Sequence, residues 1–188
     1  LSNAFVSIDL FALKTVTLPN TLKAIPRYAF RNCAKLETIE IPEGVTSINP
    51  NAFYGCSSFS RFTVDSENET FSNDEHGVLF NKDKSKVVLY PIGAAQSSYT
   101  IPDGTTTIGA NAFYYISNLE SVVIPTSVTT LESSALRGRD YDLVIYYKGT
   151  QAQWEELMAN NSDTTSYLRS YAVYCSDGEV VTSGTCGD

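Results

Sequence analysis

The chain of 188 residues is long enough for one domain with a sizeable core or for one continuous stack of repeats. Its hydrophobic content of 43% and aromatic content of 12% exclude a disordered chain. Lysine and arginine total 13 against 21 aspartates and glutamates, and the net charge of -8 argues against binding to nucleic acids or anionic membranes. No apolar run approaches the roughly 20 residues that span a bilayer, so we expect no membrane insertion.

The first residues already look like part of a repeat. Residues 1–8 resemble the interior of a coil, and they lack the basic start and apolar stretch of a signal peptide. We therefore expect the sequence to be a fragment of a longer protein whose targeting signal and anchor lie outside it.

A seven-residue motif then recurs at a constant period. Residues 13–19 (LKTVTLP) are matched by residues 36–42 (LETIEIP) and again by residues 119–125 (LESVVIP). Residues 59–65 (FSRFTVD) keep the apolar positions and lose the proline. The starts at 13, 36 and 59 give the same step of twenty-three positions twice. Self-similarity at this period is typical of solenoid proteins.

The residues after each motif are spaced as regularly as the motifs themselves. Six residues after the proline stand Ile25, Ile48, Ile108 and Leu131. Five residues further, each after an alanine, stand Phe30, Phe53, Phe113 and Leu136. Three residues beyond the phenylalanines lie Cys33, Cys56 and Ile116. These apolar positions predict the core of a coiled stack.

Within each coil the motif predicts a strand that ends at the proline. Alternation points Ile39 and Ile41 to one side and Glu40 to the other, and proline cannot donate the next ladder hydrogen bond. Residues 51–54 predict a short helical turn on the opposite side of the coil, with Phe53 inward. A single coil cannot bury these residues, so we expect the coils to stack and to form a parallel sheet on one face.

Two regions depart from the period. Between residues 59 and 119 the step is 60 residues, and an insertion at about 66–97 holds two apolar runs, 77–80 and 86–91, which we expect to continue the sheet as atypical strands. After residue 140 the pattern ends: residues 143–147 predict a strand, and Thr150 with Gln153 predicts the capped start of a helix. We thus predict a solenoid over 1–140 and a C-terminal strand-helix cap, with a final hairpin, over 141–188.

The chain resembles the BspA-like family of bacterial leucine-rich repeats. The resemblance covers about residues 1–140, with departures at Asp65, Ile116 and Leu136, and it is carried most fully by Ile39, Ile41, Pro42, Val45, Ile48, Ala52, Phe53 and Cys56. It implies a leucine-rich-repeat solenoid of a bacterial secreted or cell-surface protein. It further implies that the partner could be a host extracellular-matrix protein, although fold alone does not determine the ligand.

The inventory of reactive side chains is poor. His76 is the single histidine, so a conventional Cys–His pair or a histidine-rich metal site is hard to assemble, and we expect no catalysis, metal or cofactor. Acidic residues in the insertion do not match the spacing of a calcium loop and predict a solvated loop: Asp65, Glu67, Glu69, Asp74 and Glu75.

The four cysteines fall into two pairs. Cys33 and Cys56 stand at equivalent repeat positions and are predicted to be inert core residues. Cys175 and Cys186 flank a turn near the C-terminus and could close a disulfide in an extracellular protein. The sequence shows their proximity and not their geometry.

The outward face of the sheet is the predicted binding surface, for an unknown protein or a glycan. Its candidate residues are Lys14, Thr15, Thr17, Glu37, Thr38, Glu40, Arg61, Thr63, Thr100, Glu120 and Ser121. A solvated face without a partner, a structural spacer or scaffold repeat, and a carbohydrate-binding module are the alternatives. The last would require a cluster of exposed aromatic residues in one cleft. The sheet face itself is poor in aromatic anchors, and Tyr54, Tyr114 and Tyr115 on the opposite side are alternative anchors for a partner.

Overall fold

The computed structural model describes residues 12–116, 118–138, 143–161, 167–168, 171–178 and 180–182. They form a mostly β solenoid of about five turns, which confirms the predicted fold class. The described strands are β1 (Ala24–Ile25), β2 (Thr38–Ile41), β3 (Ser47–Ile48), β4 (Arg61–Val64), β5 (Phe71–Asn73), β6 (Leu79–Asn81), β7 (Lys86–Leu89), β8 (Ser98–Thr100), β9 (Thr107–Ile108), β10 (Ser121–Ile124), β11 (Thr130–Leu131), β12 (Val144–Tyr147), β13 (Ala172–Tyr174) and β14 (Val180–Thr182). The described helix is α1 (Gln151–Asn160).

The motif strands form the predicted parallel sheet in two separate parts, which together are here called the main sheet. β2 pairs with β4, and β8, β10, β12 and β13 pair in that order, with β14 added antiparallel at the end. Ile39 lies opposite Phe62, a separation in sequence that equals one repeat period. Ile39 and Ile41 are buried while Glu40 is exposed, as the alternation predicts.

A second row of strands, which the sequence does not predict, runs along another side of the coils in two parts, β1 with β3 and β5 to β7 with β9 and β11, and is here called the second sheet. Its two-residue strands place Ile25 beside Ile48 and Ile108 beside Leu131, all of them buried. These are the apolar residues found six positions after each proline. Each such strand is too short to alternate visibly, so its periodicity carries little signal.

The predicted helical pieces are hydrogen-bonded turns. Their bonds join residue i to residue i−3, as from Cys56 N–H to the Phe53 carbonyl (3.1 Å). Successive turns are laddered: Phe30 N–H donates to Ala52, Tyr90 N–H to Ala112 and Phe113 N–H to Ala135. We number the coils by the buried residue at this point of the turn: coils 1 to 5 contain Phe30, Phe53, Tyr90, Phe113 and Leu136.

The insertion belongs to coil 3 and enters the second sheet. β5, β6 and β7 form an antiparallel meander, and β7 then pairs in parallel with β9. Both apolar runs of the insertion therefore supply strands, as predicted. The expectation that these strands continue the sheet of the motif strands is wrong, because they pair with β5 and β9 in the second sheet. In the main sheet, by contrast, the neighbour of β4 is a loop: Phe62 N–H donates to the Gly77 carbonyl (2.9 Å). Gly77 has φ of 76° and its Cα faces Arg61 so closely that a Cβ would clash.

One buried amide anchors the insertion to coil 2. The Nδ2 of Asn68 donates to the carbonyls of Pro42 (2.7 Å) and Val45 (3.0 Å). Its Oδ1 accepts from the backbone N–H groups of Thr70 (2.9 Å) and Phe71 (2.8 Å). Asn68 is fully buried, so these four bonds satisfy an amide that would otherwise be costly to bury.

The hydrophobic interior is divided at the insertion. One cluster lies in coils 1 and 2 and includes Leu79 and Leu89, while a second cluster fills the C-terminal coils and includes Phe80 and Val87. Leu79 and Phe80 of β6 therefore pack into different clusters, and so do Leu89 and Val87 of β7. The insertion forms a two-sided layer between them.

An ion pair joins β7 of the second sheet to the residue that follows β11. The Lys86 ammonium of β7 contacts the Glu132 carboxylate that follows β11, and Ala110 N–H donates to the same carboxylate (2.9 Å). Partial burial opposes ionisation of Glu132, but these two donors outweigh it and hold its pKa below the usual value. The pair connects the insertion to coil 5.

The C-terminal region contains the predicted strand, helix and hairpin. β12 pairs with β10, and α1 begins with a capping box between Thr150 and Gln153. Trp154 and Leu157 are buried on the core side of the helix, and β13 with β14 forms the antiparallel hairpin. The proposed disulfide of Cys175 stays a prediction, because Cys186 lies outside the described residues.

Candidate binding surfaces

Nine of the eleven candidate residues on the main-sheet face are exposed. These are Lys14, Thr15, Thr17, Glu37, Glu40, Arg61, Thr63, Thr100 and Glu120. Thr38 and Ser121 are half-buried. The predicted strand at residues 13–19 is not regular, although Glu37 N–H donates to the Lys14 carbonyl (3.1 Å) and so aligns the segment with β2.

The structure brings these residues together in two patches. In the first, the register of β2 and β4 sets Thr38 beside Arg61 and Glu40 beside Thr63. The second patch lies on β8, β10 and the residue before β10 and includes Thr100, Glu120 and Ser121. The loop at residues 74–78 separates the patches because it occupies the position next to β4. In a regular stack the eleven candidate residues would form one continuous surface, and here the loop divides that surface in two.

The second patch continues into a tyrosine pair that the sequence analysis did not identify. Across the sheet, Thr100 lies beside Val123, Val123 beside Tyr146, and Tyr146 beside Tyr174. The Tyr146 and Tyr174 rings are stacked with centroids 5.3 Å apart, and they are 45% and 40% exposed. Alternation within β12 would have pointed Tyr146 outward, but its partner depended on the unknown register of β13.

The opposite side of the solenoid, formed by the turns, carries a second aromatic cluster. The rings of Tyr28 and Tyr54 are 6.3 Å apart, those of Tyr54 and Tyr115 are 5.6 Å apart, and those of Tyr114 and Tyr115 are 4.5 Å apart. Tyr54 and Tyr115 belong to coils 2 and 4, so the row of rings passes over coil 3. This cluster includes the three tyrosines named as alternative anchors.

The turn of coil 3 is recessed for a reason visible in the sequence. Five positions separate Ile25 from Phe30, but the equivalent Val87 and Tyr90 are separated by three. The next residue is the buried Pro91, whereas the other turns place an arginine or tyrosine there. Coil 3 therefore sends no long side chain outward between coils 2 and 4.

A groove of about 290 Å³ follows the row of tyrosines. Its lining residues come from four coils and are Arg27, Tyr28, Arg31, Asn51, Tyr54, Asn111, Tyr114, Ser134 and Arg137. The guanidinium carbons of Arg27 and Arg31 lie 4.6 and 5.0 Å from the centre of the Tyr28 ring. Of the described residues that line the groove, none is acidic, although the whole chain carries a net charge of -8.

In the part of the chain that the structure describes, the side chains considered for metal binding or nucleophilic chemistry are dispersed or buried. No group of three or more His, Cys, Asp or Glu side chains among the described residues could hold a metal ion. Cys33 and Cys56 are buried, and the Cys56 thiol donates to the Phe30 carbonyl (2.9 Å). Burial raises the pKa of both thiols, with that of Cys56 reaching about 12, so both are poor nucleophiles at neutral pH.

Two of the acidic side chains that were considered as calcium ligands, Asp65 and Asp74, have partners within the fold. The Asp74 carboxylate accepts hydrogen bonds from the Tyr99 hydroxyl (2.6 Å) and from Val78 N–H (2.8 Å). Asp65 accepts from Glu67 N–H (2.9 Å).

In the part of the chain that the structure describes, no helix has the length and hydropathy of a membrane span.

Solved structures similar to this chain are bacterial leucine-rich-repeat proteins. A leucine-rich repeat protein from Eubacterium ventriosum is 30% identical, with a TM-score of 0.62, over 70% of this chain and 35% of that chain. The pneumococcal vaccine antigen PcpA is 16% identical, with a TM-score of 0.50, over 80% of this chain and 66% of that one. This chain thus spans about a third of the length of the Eubacterium protein. At so low an identity, the likeness to PcpA shows the fold alone.

The repeats themselves provide the family evidence. No curated protein sequence matches the chain significantly. The model of the BspA type leucine rich repeat region matches six copies over residues 2–77 and 93–148, which is more than half of the chain. This match is to a repeat module and indicates no catalytic family. The chain therefore belongs to the BspA-type leucine-rich-repeat family, as the sequence resemblance predicts.

Proposed function

We propose that this chain is a non-catalytic recognition module that binds a protein partner through the outward face of the main sheet. The observation that carries the proposal is the exposed Tyr146–Tyr174 pair, which continues the polar rows of the second patch. Exposed tyrosines on a rigid sheet are typical anchors of protein interfaces, because they bury a large area at little cost in conformational entropy. The surrounding polar residues would form the rim of the interface.

The family resemblance extends the proposal to the place and class of the partner. It implies a secreted or cell-surface protein of a bacterium, for which a host extracellular-matrix protein is a natural partner. The exposed residues of the face include three acidic side chains, Glu37, Glu40 and Glu120, and two basic ones, Lys14 and Arg61. This small excess of negative charge would favour a basic surface on the partner. Long-range attraction of this kind raises the association rate and weakens as salt is added.

The test is a binding assay against a panel of immobilised extracellular-matrix proteins. We expect a partner whose binding falls at least tenfold in a Tyr146→Ser, Tyr174→Ser variant. A second variant, Glu37→Lys, Glu40→Lys, Glu120→Lys, should mainly slow association.

The matched control for this second variant reverses three exposed acidic residues away from the face, Glu43→Lys, Glu155→Lys, Glu156→Lys. It makes the same change in net charge and should retain binding. Equal losses in the two charge-reversal variants would refute recognition by the face, because they would show that net charge alone is responsible. Full binding by the tyrosine variant would remove the proposed anchor.

A further inference from the structure

We infer that the groove on the turn side is a binding site for a short anionic saccharide that carries a carboxylate or a sulfate. This goes beyond the proposed protein partner, since the groove lies on the opposite side of the coils from the main-sheet face. The positive charge of the groove, its aromatic wall and its polar lining support this assignment.

The charge of the groove opposes that of the whole chain. Arg27 and Arg31 are exposed, and within the described residues neither forms an ion pair with a carboxylate. Both are held over the Tyr28 ring, and Arg31 also lies 6.0 Å from the centre of the Tyr54 ring. A guanidinium that is already positioned by an aromatic face binds a carboxylate or sulfate with less loss of side-chain entropy.

The rest of the lining suits a sugar better than a peptide. Tyr54 and Tyr114 offer aromatic surface on which an apolar face of a sugar ring can stack, while the Tyr28 ring holds the two guanidiniums. Asn51 and Asn111 offer amide donors and acceptors for hydroxyl groups. A peptide bound by strand addition or as an amphipathic helix would need an unpaired strand edge or apolar side-chain pockets, and the groove is built from turns with a mostly polar lining. Its volume lies near the lower end of small-molecule sites.

The backbone of the turn determines which side chain coil 1 presents to the groove. Tyr28, Asn111 and Ser134 occupy equivalent turn positions and have φ of 63°, 54° and 55°. This left-handed conformation therefore belongs to the repeat. Asparagine adopts it readily, whereas a tyrosine there is strained. Coil 1 thus places a tyrosine on the groove where coil 4 uses an asparagine.

The experiment is calorimetric titration of the folded chain with three small saccharides. The probes are 3′-sialyllactose for the carboxylate, lactose 3′-sulfate for the sulfate, and lactose as the neutral reference. We expect at least one anionic probe to bind ten times more tightly than lactose, and the stronger of the two identifies the source of the charge. No preference for either anionic probe over lactose would overturn the inference.

Variants then locate the site. Arg31→Gln and Tyr54→Ser should each weaken binding of the preferred probe at least tenfold, with an unchanged thermal melt showing that the fold is intact. Lys35→Gln is the matched control, because it removes one exposed positive charge that lies outside the groove. An equal loss in Lys35→Gln, or displacement of the saccharide by a glutamate heptapeptide at equal concentration, would overturn the inference in favour of nonspecific attraction or an acidic peptide.

Discussion

Replacement of Asn68 is expected to destabilise the solenoid strongly, although this residue lies in a loop of the insertion. Asn68→Ala removes four hydrogen bonds, to the Pro42 and Val45 carbonyls and from the Thr70 and Phe71 N–H groups. At about 1 kcal/mol for each bond, the free energy of unfolding should fall by about 4 kcal/mol. For a chain of this size, that corresponds to a fall in melting temperature of roughly 10 °C.

Chemical denaturation of the variant and of a matched control tests this estimate. Asn118 is exposed and donates a single hydrogen bond, to the Ala94 carbonyl (2.9 Å). Asn118→Ala is therefore the same chemical change and should cost about 1 kcal/mol. If the two variants differ by less than about 1 kcal/mol, the buried amide does not anchor the insertion and the reasoning fails.

Three further outcomes are expected. Burial raises the pKa of Cys33 and brings that of Cys56 to about 12, so iodoacetamide should leave both thiols unmodified in the folded chain at mildly alkaline pH. Rapid labelling of either cysteine, detected by peptide mass spectrometry, would contradict this. The lowered pKa of Glu132 means that its ion pair with Lys86 stabilises the fold above the usual carboxyl pKa, and that this contribution is lost as pH falls through the folded-state value. Glu132→Gln should thus cost at most about 1 kcal/mol at neutral pH and flatten the acid dependence of the melting temperature. Tyr28→Asn relieves the strain of a tyrosine in the left-handed conformation and loses exposed cation–π contacts, and the two free energies are similar in size. The free energy of unfolding should therefore stay within about 1 kcal/mol of its original value. A loss above about 2 kcal/mol would show a structural role for this tyrosine.

The regular part of the fold could be predicted because the period determines the register. The repeat period already places residue 39 beside residue 62, and the structure pairs Ile39 with Phe62. The same alternation identifies the exposed residues of β2 and β4. The capping box of Thr150 and Gln153 is equally local, since its donors and acceptors lie three residues apart.

The remaining features depend on contacts that have no period. The meander of the insertion and the four bonds of Asn68 join segments at irregular separations, so a repeat pattern contains no information about them. The Tyr146–Tyr174 pair depends on the register between two strands with a helix between them. The recessed turn depends on two missing positions between Val87 and Tyr90, a difference that becomes meaningful only when Tyr90 is aligned with Phe30 through their backbone hydrogen bonds.

The irregular coil 3 therefore determines both candidate surfaces. Its loop at residues 74–78 interrupts the main sheet and so separates the first patch from the tyrosine-bearing second patch. Its shortened turn lets Tyr54 and Tyr115 meet across it beside the arginine-lined groove. A coil of the regular length would continue the sheet and send another long side chain out of the turn side. Since insertions in solenoids map to one face and often to the binding face, the ligand preference of this chain is expected to follow coil 3 more closely than the repeat consensus.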